Sequence, residues 1–493
     1  MLKRLLHSTH SLLGTVVSLL FLMWFITGLV LVYHSFPDVN KDKRNHNREI
    51  LKADNYPAIS QVINTAQSDK AKLQQLNQYQ DQTVFTLTSS KGVEHISATL
   101  QPISESITLD KLQRIAAKWS KAPIAKIDTL QKRDIWVMYT KYLKELPLYK
   151  IHFDDAQNHH LYLSSKTGEV QQFTTRSERV WAYLGSIPHK LYIPALREHT
   201  NVWIATLTIL ATLCFIATLS GIVLGLRALI KRYKRKGKLE SPYAKIDYKW
   251  HHILGLVFGL FLLTWSISGM MALQKTPQWL VKTHNTQNIA KKIKGTPISP
   301  IDFKLDYREI ISSYPNIKQL KWNYFQDTPY YEIVVDDIEL YIDASNQTIE
   351  KLYLSQSTIE QAIRSIHGPE AKFSIELINN YEEYYLPWKR ELPLPVYKVK
   401  VESPDNDSFY ISPETGYFKH MNDNRIARKW LFNAFHYAHI KWLMDRPVLW
   451  TIIVWGLSLG CIAVSGTGVI LSVRYLKRKI NNKKNKKRCH QEK

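Results

Sequence analysis

The sequence predicts a membrane α-helical protein. Its four transmembrane helices fall in two tandem repeats, each a helix, an α+β region outside the membrane and a second helix, related by a pseudo-two-fold axis along the membrane normal. Three observations carry this prediction. Four stretches, 12–32, 202–226, 253–273 and 448–473, contain no Asp, Glu, Lys or Arg, and about 20 residues at 1.5 Å rise cross a bilayer core. Motifs in the first half recur in the second. The net charge of +24, from 66 Lys+Arg against 42 Asp+Glu, is gathered in three short segments. A soluble enzyme is excluded.

The first span follows Lys3 and Arg4 as a signal peptide would. A cleavable apolar core runs only about 7–15 residues, however, and no small-x-small site follows, so the span reads as an anchor. Residues 1–11 carry +2, residues 227–249 carry +7 and residues 474–493 carry +9, together +18 of the +24. Short basic segments stay in the cytoplasm, which places both termini and the linker inside and the two long loops outside. The division is then 1–11 cytoplasmic, 12–33 first span, 34–200 outer region, 201–226 second span, 227–250 basic linker, 251–273 third span, 274–446 second outer region, 447–473 fourth span and 474–493 basic tail. The basic surplus is a topology signal, so the lipid bilayer is the expected partner and no nucleic acid is. Cys214 and Cys461 lie in spans and Cys489 in the tail, with none in the outer loops. Thiolate metal sites and iron–sulfur clusters are therefore not expected.

The duplication is explicit. His10-Ser-Leu-Leu-Gly14 with Trp24, Thr27 and Gly28 recurs 241 residues later as His251-His-Ile-Leu-Gly255 with Trp265, Ser268 and Gly269. The second and fourth spans match at an offset of 247, pairing His189 with His436, Trp203 with Trp450, Cys214 with Cys461, Gly221 with Gly468 and Arg227 with Arg474. In the outer loops Leu161-Tyr-Leu-Ser-Ser-Lys-Thr-Gly168 parallels Phe409-Tyr-Ile-Ser-Pro-Glu-Thr-Gly416. Both halves start and end inside, so an axis along the membrane normal relates them and equivalent residues lie at equal depth.

Within the outer regions, Thr108 caps a helix beginning at Leu109, ahead of alternating stretches around 135–139, 148–153 and 161–163. A helix near 359–366 precedes similar stretches at 396–401 and 409–411. Residues 56–100 and 306–350 leave room for a further such unit upstream of each. The tail after Arg474 reads as a solvated run with no fold of its own.

Nine of the 18 histidines flank the spans: His7, His10, His34, His189, His199, His251, His252, His436 and His439. A single histidine at a membrane edge is ordinarily an interfacial residue. Here His10 and His251 are repeat equivalents at the inner ends of the first and third spans, and His189 and His436 are equivalents before the second and fourth. Two-fold symmetry sets each pair face to face across a four-helix bundle, where side chains from facing helices hold cofactors and neutral imidazole ligates haem iron. Two bis-histidine haems follow, with Gly14, Gly28, Gly221, Gly255, Gly259 and Gly269 leaving space for flat macrocycles or simply letting helices approach. His252 beside His251, and His439 one turn from His436, are alternative ligands. His34 corresponds to Lys275 and is a weaker symmetric candidate, and His199 corresponds to Arg446 and reads as surface. His152, His159 and His160 in the first outer region lack the partner spacing of a metal site.

His-x-x-x-Gly opening a span that closes with Trp-x-x-Thr/Ser-Gly, outer regions ending in Tyr-x-Ser-x-x-Thr-Gly, and a late Ser-Gly or Thr-Gly before a basic stop together resemble the PepSY-associated transmembrane proteins of bacteria, over nearly the whole chain. The resemblance implies a multi-pass inner-membrane protein with periplasmic PepSY-like domains. It is similar to iron-uptake reductases that carry haem b and reduce ferric siderophores, and the ligands it implies are His10, His189, His251 and one of His436 or His439. Both outer loops are longer than one PepSY unit. No Gly-x-Gly-x-x-Gly dinucleotide motif is present and no cytoplasmic segment is long enough to fold around a flavin, so a separate cytoplasmic reductase or quinol is the expected electron donor.

The outer repeat Tyr142-Leu-Lys-Glu-Leu-Pro-Leu-Tyr149 and Trp388-Lys-Arg-Glu-Leu-Pro-Leu-Pro-Val-Tyr397 sets aromatic rings beside Lys144, Lys389 and Arg390. It is either a seat for an anionic iron chelate or a loop whose aromatics pack on its own domain. The leading expectation is an oxidoreductase of the ferric-chelate reductase type, a di-haem b electron carrier with a ferric siderophore as acceptor. The competing one is a non-enzymatic PepSY protein that binds or restrains a periplasmic peptidase or envelope partner. A transporter is disfavoured because no ionisable Asp, Glu, Lys or Arg lies within the spans.

Overall fold

The computed structural model describes residues 2–491 except Asp54, 67–70, 80–81, Lys91, 104–106 and Lys275, with side chains from 483 onward not described. Cys489 and Lys275, named above, therefore lie outside the described side chains. The chain divides into two compact units, one built from residues 1–36, 177–280 and 425–493 and the other from 37–176 and 281–424.

Four helices long and apolar enough to cross a membrane form the first unit: α1 (Leu2–Tyr33), α2 (Thr200–Lys236), α3 (Ile246–Ala272) and α4 (Pro447–Gln491). The charge-free stretches lie inside them, the third running one residue past α3 to Leu273. Helices α1 and α3 each pack against both α2 and α4, around a centre of Val17, Phe21, Phe25, Cys214, Ala217, Leu262, Cys461 and Val464. The tail differs from expectation, since α4 runs unbroken to Gln491. Lys and Arg are good helix formers, and extending an existing helix adds a hydrogen bond per residue without a new nucleus.

Among the described residues, fifteen strands build the second unit. In the first loop these are β1 (Lys72–Tyr79), β2 (Gln82–Ser89), β3 (Gly92–Ser97), β4 (Ile124–Leu130), β5 (Leu148–Phe153), β6 (His160–Ser164) and β7 (Val170–Thr174). The second loop supplies β8 (Ile317–Phe325), β9 (Thr328–Val335), β10 (Ile338–Asp343), β11 (Glu350–Lys351), β12 (Phe373–Ile378), β13 (Val396–Val401), β14 (Ser408–Ile411) and β15 (Phe418–Met421). Strands β4-β5-β6-β7 and β12-β13-β14-β15 form two antiparallel four-stranded sheets of like order. The helices Leu109–Trp119 and Gln356–His367 supply apolar residues to the corresponding cores. Thr108 caps the first, accepting from Lys111 N. The stretch around 135–139 is not a strand: Ile135–Val137 is a 3₁₀ turn started by Asp134, with Trp136 and Val137 buried, and a short continuous apolar run does not distinguish the two.

The Thr-Gly motif closes both sheets. Gly168 and Gly416 have φ of +68° and +65°, the left-handed region that glycine enters without a Cβ penalty, and each donates back to a serine carbonyl, Ser164 at 2.8 Å and Ser412 at 3.1 Å.

The upstream segments of the two loops do not form separate units. They share one seven-stranded antiparallel sheet, β11-β10-β9-β8-β1-β2-β3, joined where Leu76 of β1 lies opposite Leu320 of β8. Both leucines are fully buried. Leu320→Ala is expected to cost about 2–5 kcal/mol, read as a lower urea midpoint for loss of the β-sheet circular dichroism signal of the full-length protein.

Asp407 is a buried charge in the last sheet. It is 1% exposed, and it accepts from His420 Nε2 at 2.6 Å and Ser403 Oγ at 2.8 Å, with His367 Nε2 3.9 Å away. Burial opposes its ionisation, but the bonds from His420 and Ser403 and the nearby His420 and His367 rings outweigh that and hold the carboxyl below the usual carboxylate range. A depressed carboxyl contributes stability above its unfolded pKa of about 4 and loses it as pH falls through the lower folded value. Asp407→Asn is expected to cost about 1–3 kcal/mol at neutral pH and to flatten the acid limb of the stability profile, measured by thermal melts from pH 3 to 7.

Candidate histidine sites of the helical unit

The structure brings the candidate histidines together in two pairs. His10 of α1 faces His251 of α3 with ring centroids 6.2 Å apart. His189, at the end of the short helix Ser186–His189, faces His436 of Phe435–Tyr437, also at 6.2 Å. Two metal–nitrogen bonds of about 2 Å each, in line with two imidazole radii, span about the same distance.

Hydrogen bonding fixes where the protons sit. His10 Nδ1 lies 2.9 Å from Ala217 O and His189 Nδ1 3.1 Å from Trp24 O. A carbonyl only accepts, so both nitrogens carry hydrogen. His251 Nδ1 is 3.0 Å from Thr467 Oγ1 and His436 Nδ1 is 3.0 Å from Ser268 Oγ. Those hydroxyls spend their own protons on helix carbonyls, Thr467 on Val464 O at 2.8 Å and Ser268 on Trp265 O at 3.1 Å, so they accept from imidazole. Thr27 does the same beside His189, donating to Met23 O at 2.7 Å and lying 3.1 Å from Nδ1. In all four rings Nε2 is left with the lone pair, the tautomer a metal ligand requires. Desolvation, followed by repulsion from His436, pushes His189 down to about 3, and desolvation pushes His436 to about 4, so both rings are neutral at physiological pH.

Glycines complete the sites. A Cβ on Gly221 would lie 2.6 Å from His10 Cε1, one on Gly28 3.3 Å from His189 Cε1, and one on Gly468 3.5 Å from His251 Cε1. Ser220-Gly221 and Thr467-Gly468 each abut an inner imidazole, and Thr27-Gly28 and Ser268 an outer one. Gly14, Gly255 and Gly269 front open space, whereas a Cβ on Gly259 would lie 3.0 Å from Ile222 Cγ1. As residues the four paired histidines are half-buried, and the alternatives more deeply so. His252 and His439 are buried at 8% and 4%. His252 Nε2 donates to Gly225 O at 3.0 Å and its ring meets Tyr243, while the His439 ring lies beside Tyr437. Their repeat equivalents are Ser11 and Tyr192, so neither has a symmetric partner. His34 stacks on Trp181 at 4.0 Å, and His7 and His199 are exposed.

Sequence reasoning missed the orienting groups, Thr27, Ser268, Thr467 and the Ala217 carbonyl. Their signal was the repeated hydroxyl-glycine dipeptide. It also missed the π-helical turn Lys429–Ala434 that leads into His436, and the left-handed residues Leu191 and Ala438, at φ +46° and +54°, two positions after His189 and His436. Non-glycine residues in that region cost about 1–3 kcal/mol each, and here both turn the chain away directly after an imidazole.

Elsewhere, His152 Nε2 bonds Asp128 at 3.0 Å and its Nδ1 lies 3.2 Å from His160 Nε2. Among the described residues no group of three or more His, Cys, Asp or Glu is arranged to hold a metal ion. In the outer aromatic repeat, Tyr142 is 1% exposed with its hydroxyl on Gln171 O, and Arg390 pairs with Asp38 at 3.6 Å.

Four apolar helices, two of them carrying His10 and His251, together with the short helices that carry His189 and His436, define a multi-pass membrane protein with paired histidine sites. The chain belongs to the PepSY-associated TM family, whose model, described as the PepSY-associated TM region, matches residues 7–300, more than half of the chain. No curated protein matches it.

Proposed function

We propose that the protein is a di-haem b electron carrier of the bacterial inner membrane, passing electrons from a cytoplasmic reductase or quinol to a periplasmic acceptor, a ferric siderophore. The proton placement on the four facing imidazoles carries this reading. His10 with His251, and His189 with His436, would each hold one haem, which supplies a reversible one-electron couple. The protein's part is orientation and exclusion. The Ala217 carbonyl, Thr467, Thr27 and Ser268 hold the Nδ1 protons and aim Nε2, and the glycines keep the helix faces clear. Reduction suits release, since Fe(II) leaves hard oxygen ligands more readily than Fe(III).

The tandem-repeat layout belongs to the same proposal. The like-ordered pair of four-stranded sheets and the matching hydroxyl-to-imidazole bonds of Thr27 and Ser268 support a pseudo-two-fold axis along the membrane normal, with both termini cytoplasmic and the large loops periplasmic. The competing reading, restraint of a periplasmic peptidase or envelope partner without chemistry, gives the four oriented imidazoles nothing to hold. A reduced-minus-oxidised visible spectrum of the detergent-purified full-length protein, with haem quantified per chain, is the test. Two b-type haems per chain are expected, and a colourless protein from haem-replete cells overturns the reading.

A further inference from the structure

Arg197, in the short helix Pro194–Glu198, is 6% exposed. Its guanidinium lies 4.1 Å over the ring of Trp203 and 5.6 Å from that of Tyr192. Its Nε is buried with no hydrogen-bond partner, and among the described residues no carboxylate pairs with it. Glu198, next in the chain, is exposed. A cation withdrawn from water without a counter-charge is costly, and stacking on two aromatic rings returns only a small part of that cost. The anion that completes the arrangement is therefore not part of the described chain.

Its place is defined by the histidine site. Trp203 Nε1 donates to Lys190 O at 2.8 Å, the carbonyl directly after His189, and Lys190 Nζ lies 5.6 Å from the same Tyr192 ring. Two cations thus flank Tyr192 within eight residues of His189. The second half repeats the scaffold without the charge. Trp450 Nε1 donates to Tyr437 O at 3.0 Å, the carbonyl after His436, but Met444 stands where the first half has Arg197 and Tyr437 where it has Lys190. The duplicated clamp is charged on one side only.

We infer that Arg197 is the cationic half of an oxyanion seat beside His189, filled by a carboxylate or phosphate at the edge of the helical unit. Two sources share that chemistry. One is a propionate carboxylate of a haem between His189 and His436, which rests on the function proposed above. The other is the phosphate of an anionic phospholipid, which does not.

The experiment compares the full-length protein with Arg197→Gln and Arg197→Lys, purified in the same detergent and returned to nanodiscs of phosphatidylcholine with or without phosphatidylglycerol. Redox titration reads the haems, and phosphate analysis with native mass spectrometry reads retained lipid. Occupation by propionate predicts that Arg197→Gln keeps its haem but shows one midpoint potential moved downward, because a cation beside the couple favours the reduced state, that Arg197→Lys restores most of the shift, and that phosphatidylglycerol changes neither. Occupation by lipid predicts unchanged potentials and loss in Arg197→Gln of an anionic phospholipid that the parent and Arg197→Lys retain. If the folded glutamine variant matches the parent in both readouts, the seat is wrong. A parent protein without haem would sink the electron-transfer proposal alone, and the lipid readout would then decide the seat by itself.

Discussion

Replacing His436 with alanine is expected to halve the haem recovered per chain and leave the remaining spectrum that of a bis-histidine b-type centre. Its ring lies 6.2 Å from that of His189, centroid to centroid, and among the described residues His439, the neighbouring imidazole, is buried beside Tyr437 instead. His10→Ala is expected to remove the other half, through loss of the partner of His251. The two substitutions together leave a colourless protein. His252→Ala and His439→Ala are the discriminating controls, because each neighbours a proposed ligand and each is expected to retain both haems. Pyridine haemochrome quantification against protein mass checks all five. Full loss from His439→Ala with retention in His436→Ala would reassign the outer ligand, and unchanged haem in every variant would remove the paired imidazoles from the cofactor altogether. Ser268→Ala is expected to act more weakly than His436→Ala: removing an orienting partner costs about 10–100-fold in affinity rather than the site.

The second large effect is steric. Gly221→Ala places a methyl 2.6 Å from His10 Cε1, Gly28→Ala one 3.3 Å from His189 Cε1, and Gly468→Ala one 3.5 Å from His251 Cε1. Carbon atoms in contact prefer about 3.5–4 Å, so the first demands that the imidazole move, the second a shift of a few tenths of an ångström, and the third nothing. Loss of the inner haem from Gly221→Ala, partial loss or a shifted potential for the outer haem from Gly28→Ala, and a silent Gly468→Ala are the expected outcomes in the same assay. The order decides the matter: three equal losses, or loss of the outer haem from Gly221→Ala, would contradict the geometry. Alanine is a better helix former than glycine, so general weakening of the helices is not expected to mimic the pattern.

Part of the fold was legible because its causes are local or periodic. Four stretches without a charged residue announce spans by length and solubility alone, and each lies inside a long helix of the structure, the third to within one residue. Thr108 announces a cap, since capping is a property of a few adjacent residues. Strands β5, β6, β13 and β14 followed from alternation. The apolar run at 135–139 reads as a strand because a short continuous apolar run does not separate a strand from a 3₁₀ turn, and the basic tail reads as a solvated run with no fold of its own because charge says little about whether an existing helix continues.

The histidine pairs stand between these cases. Duplication named His10, His189, His251 and His436 as equivalents, but adjacency left His252 and His439 open. Ring orientation separates them, and orientation depends on partners far away in sequence: Ala217 for His10, Thr467 for His251, Trp24 and Thr27 for His189, Ser268 for His436.

By itself, then, the sequence determined the apolar spans, the duplication and the residue types at its equivalent positions, because hydrophobicity and repetition are written in one dimension. The packed structure was needed to show which nitrogen of each imidazole holds the proton, that β1 pairs with β8 so that the two outer loops share a sheet, and that Arg197 is buried with no carboxylate paired to it among the described residues. Each of these depends on which atoms from distant parts of the chain lie within about 3–4 Å of one another, a property that residue order leaves open until the helices and strands have packed.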